Sequence, residues 1–477
     1  MRSRGGPSKH RYANAAMPHG AVPFPAHRVF QPRGMPPHGA SAAHGLVEDI
    51  ITGLMALAVL LLLCVSSSML TDWHIHYVTS GGMFLEKIHP ATYLVFSAFL
   101  LCLLRQANPV GDLSNILSQT KLTLVLFVCW VALLLQLVLL RRPFTPIIDT
   151  FLLPPVIFVT MLQLSPSQKR ILAWTFHAGI LLNVALGFYE YFSGSRLFPL
   201  TVGNIVVLGE WRSAALLGHP LTASGLIAAY VMALILRPAM FPPLIRLPII
   251  AICFASLMVF GGRTALITTI AVIAILVLVE SIRLLLGKRA SLATVIISLC
   301  LLSAAITIII AAFSTGVFDK MLLRFSSDKG SAFARVATLH FLSHLDWPEL
   351  LFGAAPERIT SLQSQLGLNY GIENFWISCI AQFGLLLTAL LTAGLICLFV
   401  DIAKKSQSAV WAIFLLILMI AASSVSFSSK NIQMAQFIVL ITLLLPKTQV
   451  RSRIARRTEH GGASRFRPAP AASEIYR

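Results

Sequence analysis

Acidic side chains are scarce in this chain. Its 477 residues carry 18 Asp and Glu against 37 Lys and Arg, a formal net charge of +19, and charged residues of both signs make up only 12%. Soluble globular chains carry about 25%, so an ordinary soluble enzyme is excluded. A hydrophobic content of 57% excludes an intrinsically disordered protein, which has too few apolar side chains to bury. The seven cysteines (Cys64, Cys102, Cys129, Cys253, Cys300, Cys379 and Cys397) include no C-x-x-C pair, and all lie in apolar runs. That excludes a disulfide scaffold or a thiolate metal site and leaves packing as their role. No internal repeat is visible. A mean hydropathy of +0.81 points to a polytopic membrane protein, and the question is where the positive excess sits.

Much of it sits at the ends. Residues 1–47 hold Arg2, Arg4, Lys9, Arg11, Arg28 and Arg33, with no acid before Glu48. They are rich in Pro, His, Gly and Ala and cannot build a core. The first apolar run starts near Ile50 and is long enough to span, which is not a signal-peptide pattern. Met17 and Met35 are alternative starts. Residues 447–477 are also basic, so each tail carries about +6. Both read as disordered basic cytoplasmic ends that meet anionic lipid. No aromatic interleaving or motif accompanies them, so no nucleic-acid partner is expected.

Between the tails, apolar runs recur near 50–71, 89–104, 121–140, 146–164, 170–193, 214–236, 246–261, 263–283, 291–313, 372–400, 408–426 and 431–446. Spans of about 20 residues cross a bilayer, and only helices satisfy their own backbone there. The expected fold is therefore all-α, with about 12 transmembrane helices over 48–446. With the N-terminal tail inside, the inner loops hold Arg105, Lys121, Lys169, Arg170, Arg237, Arg246, Arg283, Lys288, Arg289, Lys404 and Lys405. Positive-inside bias then puts both termini in the cytoplasm. Arg141 and Arg142 are the exception, on the outer side.

One connection is too long to be a connector. Residues 314–371 make an outer loop of about 60 residues, and loops beyond about 15 are usually functional. Ala332 to Leu345 has helical spacing ended by Asp346-Trp347-Pro348, and a second short helix is expected over Pro356 to Leu366. A folded helical cap over an extracytoplasmic cavity is the expectation.

Four polar clusters fall on that outer side: Glu210-Trp211-Arg212-Ser213, Gly261-Gly262-Arg263-Thr264, Arg335 with His340 and His344, and Gly371-Ile372-Glu373-Asn374. An arginine at a membrane boundary must snorkel, pair or serve a site. Two glycines before Arg263 allow close backbone approach, and a helix start there offers free N–H groups. Guanidinium beside a helix N-terminus suits a phosphate. The alternative is snorkelling to headgroups. Arg212 reads the same way, or as a partner of Glu210. Arg335 is either a solvated helix residue or a further donor. Glu373 is either a helix cap or a general base for an acceptor hydroxyl. His340 and His344 are spaced i,i+4, but no third metal ligand is evident, so no metal and no cofactor are expected. His219 reads first as a packed or hydrogen-bonded histidine.

Taken in order, RSAALLGHPLTASG (212–225), GGRTAL (261–266), SAFARVATLHFL with LLFGAAPE (331–357) and IENFWISCIAQFGLLL (372–387) resemble the O-antigen ligase and O-antigen polymerase superfamily of bacterial envelope enzymes. The resemblance covers about 50–446 and implies a membrane-embedded, GT-C-like glycosyltransferase of the inner membrane with its active site facing the periplasm. It implies an undecaprenyl-diphosphate-linked glycan as donor, and as acceptor a second glycan (polymerase) or lipid A-core (ligase). It implies metal-independent, inverting transfer, with a chain-length regulator as a partner of the polymerase. By matching positions, Arg212 and Arg263 would hold the diphosphate and act catalytically, and Arg335, His340 and Asn374 would help bind substrate. Glu373 would be the base. Two departures stand out: Glu373 occupies a position where many ligases carry His, and Phe352-Gly353-Ala354-Ala355 lacks the second glycine of the family's turn. They tilt the reading toward a polymerase of surface or exopolysaccharide repeats. The rival of another class is a transporter or flippase, which would show repeats, broken helices or acids at mid-membrane. Here Asp149, Glu190 and Glu280 fall near run ends, which suits structural roles.

Overall fold

The computed structural model describes residues 38–79, 81–199, 201–202, 205–206, 212–237, 240–287, 331–368, 371–423, 427 and 429–447. The tails, the apolar run at 291–313 and the first part of the long loop lie outside the described residues. Two compact units divide the chain, Met1–Gly45 and Leu46–Arg477.

The described elements are overwhelmingly helical. They run α1 (His38–Cys64), α2 (Ser67–Asp72), α3 (Pro90–Leu104), α4 (Pro109–Gln119), α5 (Lys121–Leu139), α6 (Thr145–Gln163), α7 (Pro166–Ser193), α8 (Pro220–Leu236), α9 (Pro243–Phe260) and α10 (Arg263–Leu285). After the gap come α11 (Ser331–Phe341), α12 (Trp347–Phe352), α13 (Pro356–Gln365), α14 (Phe375–Lys405), α15 (Val410–Ser423) and α16 (Gln433–Leu444). A two-residue antiparallel pair, Thr201–Val202 with Ile205–Val206, is the one ladder among the described residues.

Local chemistry sets many of the helix starts. Proline stands at the first position of α3, α4, α7, α8 and α9, where its missing N–H costs nothing. Ser165 and Gln168 close a capping box on α7. Asn108 and Asn374 cap α4 and α14 with their side-chain oxygens.

Seven of the helices are long and apolar enough to cross a membrane: α1 from Gly45, α5, α6, α7, α9, α10 and α14. The number becomes eight if α3 and α4, bent by 114° at their junction, are one span. α8, α15 and α16 are apolar but shorter. The chain is thus an α-helical polytopic membrane protein. The packing explains two of the short ones: nearly every residue of α8 and α16 is buried, and a helix apolar on all sides belongs in a core. α6 joins them, with nine consecutive buried residues from Leu153 to Met161. The surrounding helices present apolar side chains outward, such as Val128, Leu135, Ile252, Val277, Leu386 and Leu418.

Hydrogen bonds define two ends of this bundle. At one, here the proximal end, Arg105 donates to Glu48 (2.6 Å) and to the Gln163 carbonyl (3.0 Å). Gln168 donates to Glu48 (2.9 Å), Thr123 to Asp401 and Arg237 to the Leu444 carbonyl (2.7 Å). The other, distal end gathers the starts of α3, α6, α8, α10, α14 and α16 and the cap.

The sequence reading needs three corrections. The stretch between α3 and α5 is no simple loop but the amphipathic helix α4. The tenth apolar run extends to Lys405 and is broken at Gly384, whose φ of 82° and ψ of 165° are not helical. Asp346-Trp347-Pro348 ends one helix and also starts another: Asp346 and Glu349 form a capping box on α12.

Candidate functional site

The distal end is built around a loop that Glu190 organises. This buried carboxylate, in the last turn of α7, accepts the backbone N–H groups of Leu197 (2.9 Å), Ala214 (2.8 Å) and Ala215 (3.0 Å). Ser213 Oγ donates to the Gly187 carbonyl at 2.8 Å. The residues that follow Arg212, Ser213 to Ala215, are therefore pinned to α7. Arg196 Nε donates to the Arg212 carbonyl at 2.9 Å, which puts a second guanidinium in the same loop. His219 caps α8, its Nδ1 accepting the Leu221 N–H at 3.2 Å.

A steric fit joins this loop to Arg263. Gly262 packs on Ser224 of α8 so tightly that an added Cβ would stand 1.9 Å from Ser224 Oγ. Gly262 also offers no side chain to cap α10. Arg263 follows as the first, half-buried residue of that helix. One residue on, Thr264 and Ser423 hydroxyls meet at 3.1 Å, and Asn374 Nδ2 donates to the Ala422 carbonyl at 3.4 Å. These contacts link α8, α10, α15 and α14 in series. The clusters at 212–213, 262–264 and 373–374, scattered in sequence, share one end of the bundle.

Asn374, expected to bind substrate, is committed to structure: its Oδ1 accepts the Ile377 N–H at 3.1 Å while Nδ2 holds Ala422. Glu373 precedes that cap, so it is not itself the capping residue, and it is half-buried. The cap packs directly beside it. Ala337, Phe341, Leu362 and Leu368 form a small core with Ile372, Ile377 and Ala381. Arg335 and His340 are exposed on α11. His344 Nδ1 bonds the His340 carbonyl at 2.9 Å, so this i,i+4 pair is tied through the backbone. Among the described residues no group of three His, Cys, Asp or Glu gathers as a metal site.

Gly353 of the cap and Gly384 of α14 interlock. A Cβ on Gly384 would lie 2.2 Å from the Leu351 carbonyl oxygen, and one on Gly353 2.5 Å from that of Gln382. Arg142 donates to the carbonyls of Gln382 (2.9 Å) and Gly353 (3.0 Å), and Gln136 to those of Phe352 (2.7 Å) and Phe383 (3.2 Å). Arg142, out of place by charge bias, is a clamp for these carbonyls. Ala355 sits at φ −66° and ψ 145°, a conformation any residue adopts.

The distal end carries more cations than the sequence reading allowed. Lys87, Arg196 and Lys430 are there too. Lys430 donates to the carbonyls of Tyr77 (2.6 Å) and Lys87, with its ammonium 3.9 Å from the Tyr77 ring centre. The same region buries Asp149, which accepts from Tyr77 (2.9 Å), the His89 N–H (3.1 Å) and Thr92 (2.6 Å). Asp149 and Glu190 are thus internal braces, as expected for carboxylates near helix ends.

Sequence reasoning assigned no role to Arg196, Arg142 and Lys430. Arg196 and Lys430 are lone cations in polar stretches, Arg142 follows Arg141 at the end of an apolar run, and only the carbonyls they meet give them a role. Glu210 and Trp211 lie outside the described residues. No family model, curated protein or solved structure matches the chain.

Proposed function

We propose that this protein is a membrane glycosyltransferase that acts at the distal end of its bundle, on the periplasmic side of a bacterial inner membrane. It transfers a glycan from undecaprenyl diphosphate to a sugar hydroxyl, as a polymerase of surface, exopolysaccharide or O-antigen repeats. The observation that carries this reading is that two arginine-bearing segments share one end of the bundle. Arg212, with Arg196 beside it, and Arg263 stand at the distal end, where Gly262 seats against Ser224 of α8. A diphosphate carries at least two charges and is best met by planar guanidinium donors. The uncapped start of α10 adds backbone N–H groups. Twelve spans, counting α3, α8, α15, α16 and the run at 291–313, and a GT-C-like architecture belong to the same proposal.

The chemistry balances without a metal. The acceptor hydroxyl oxygen attacks the anomeric carbon of the donor sugar and the bond from that carbon to the diphosphate oxygen breaks, with inversion. Glu373 takes the hydroxyl proton. Undecaprenyl diphosphate leaves with the electron pair, and the arginines stabilise the charge that grows on it. The cap, packed at Ile372 and Ile377, would close over the acceptor.

A ligase that delivers the glycan to lipid A-core uses the same groups and differs only in acceptor. Arg212→Ala and Arg263→Ala should abolish transfer while membrane protein persists, and Glu373→Gln should lower turnover more than donor binding. Wild-type activity in either arginine variant removes that arginine from the mechanism. In a deletion strain, a polymerase predicts lost long chains with lipid-linked single repeats outside. A ligase predicts intact lipid-linked polymer without lipid A-linked chains. Repeats trapped in the cytoplasm would refute both and favour a flippase.

A further inference from the structure

Three apolar side chains stand in the open at the distal end. Met83, Phe84 and Leu85, in the connection between α2 and α3, are 68%, 50% and 62% exposed. Phe84 opens one 3-10 turn that ends at Lys87. Apolar side chains exposed singly need no explanation, but three in a row on a short turn do.

The turn is held in place. Tyr93 donates to the Leu85 carbonyl at 2.7 Å. Lys430 donates to the Lys87 carbonyl, and Asp149 accepts the His89 N–H at 3.1 Å. Ile88 and His89, which follow the turn, are buried. The backbone is thus tied to three elements while the three apolar side chains are left outside.

Two contacts place these side chains beside apolar helix faces. Tyr93 begins the exposed stripe of α3, which continues through Ser97, Leu100 and Leu104 at helical spacing. The opposite stripe, Ala91, Val95, Ala98 and Cys102, is buried. The Tyr93 hydrogen bond therefore joins Leu85 to the distal end of the outward face of α3. Phe84 meets Phe144 with ring centres 5.8 Å apart, and Phe144 lies between the end of α5 and the start of α6. α5 has an outward apolar stripe of its own, in Val128, Val131, Leu135 and Val138.

Helix length supplies the reason. α3 has 15 residues, about 22 Å at 1.5 Å per residue, against a hydrocarbon core of about 30 Å. At its proximal end Arg105 meets the Gln163 carbonyl, where α6 also ends. At its distal end His89 and Thr92 meet Asp149, so the first turn of α6, from Thr145, rises beyond α3. The shortfall of α3 lies there, and so does the exposed turn, with Phe84 on Phe144. A span that is too short thins the bilayer around it at a cost, and apolar side chains added at its end remove that need.

We propose that Met83, Phe84 and Leu85 form a wedge that enters the acyl region of the membrane leaflet at the distal end and completes the apolar face that α3 is too short to supply. The occupant is bilayer lipid, because the wedge continues two helix faces that are themselves outward and apolar. The proposal does not depend on the glycan-transfer reading.

The test labels Met83→Cys and Leu85→Cys, each in the full chain, with a nitroxide. The protein is reconstituted into vesicles of phosphatidylethanolamine and phosphatidylglycerol without polyprenyl lipid. Unsubstituted protein treated alike gives the background from the native cysteines. Both side chains are already exposed, so the substitutions leave the core intact. Oxygen concentrates among acyl chains and a neutral nickel chelate in water, so the ratio of their collision rates with the label reports immersion. That ratio should be several-fold higher at both positions than for a label at Ser364→Cys, exposed on α13 of the cap. A ratio no higher than at Ser364 puts the turn in water and overturns the proposal. Low collision rates with both reagents mean that protein covers the turn, either a second copy or another segment of this chain, and overturn it as well.

Discussion

Gly262→Ala tests how the arginine loops are brought together. Gly262 has φ −83°, so alanine meets no backbone strain there and the effect is steric alone. The added Cβ would lie 1.9 Å from Ser224 Oγ and 2.4 Å from Ser224 Cβ, whereas Cβ contacts under 3.0 Å essentially never occur. Ser224 is buried within α8, so it cannot swing clear, and α10 must move. Overpacking of this kind costs about 1–3 kcal/mol. The companion variants grade the effect. Ser224→Ala in the Gly262→Ala background removes the 1.9 Å contact and leaves the 2.4 Å one, so it rescues in part. Ser224→Gly removes both and should restore most of the loss, less the ~1 kcal/mol that a glycine costs inside a helix. Thermal stability of the detergent-solubilised protein reads the packing, and transfer activity reads the placement of Arg263. A stable, fully active Gly262→Ala variant, or no rescue by Ser224→Gly, would refute the idea that this contact positions the arginines.

The other predictions concern the braces. Burial pushes the Lys430 pKa down from 10.5 to about 8, with Asp149 opposing the shift and Lys87 adding to it. The unfolded chain then holds this proton up to pH 10.5 while the folded chain releases it near 8. Between those values the unfolded state binds more protons, so stability rises with pH and the increment is lost as pH falls back through 8. Lys430→Met should remove that rise from a Tm against pH profile, and an unchanged slope in the variant would count against it. Arg142→Ala leaves two inter-element carbonyls without their donor and should cost about 1–3 kcal/mol, seen as faster proteolysis of the cap. Arg142→Lys should recover only part, because a single ammonium cannot match a planar fork. Equal proteolysis in all three proteins would show that the clamp does not hold the cap.

The membrane-embedded helical character was legible in the sequence because apolar length and helix-start chemistry are local. Pro220 after His219, Pro166 after Ser165 and Asn374 before an apolar run each announce a helix start within a few residues. Eleven of the twelve apolar runs overlap helices among the described residues. α4 was harder to see, since its polar face mimics a loop, and so was the break at Gly384, where an apolar run simply continues past the glycine. Arg212, Arg263 and Glu373 stood out by composition, because charge is rare at the mouth of an apolar run. Arg196 had no such signal. Its neighbours Ser195 and Leu197 look like any connector, and its role depends on a carbonyl sixteen positions away.

The sequence by itself determined that this chain lives in a membrane, where its helices begin, and which few polar residues need an explanation. These follow from hydropathy and capping, which act over one helix at most. Only the tertiary structure decided which of those residues meet. Gly262 against Ser224, Gly384 against Leu351 and Arg142 between Gln382 and Gly353 are contacts between distant segments. They are chosen by shape and by the demand of buried carbonyls for donors, and neither quantity exists until the helices are packed.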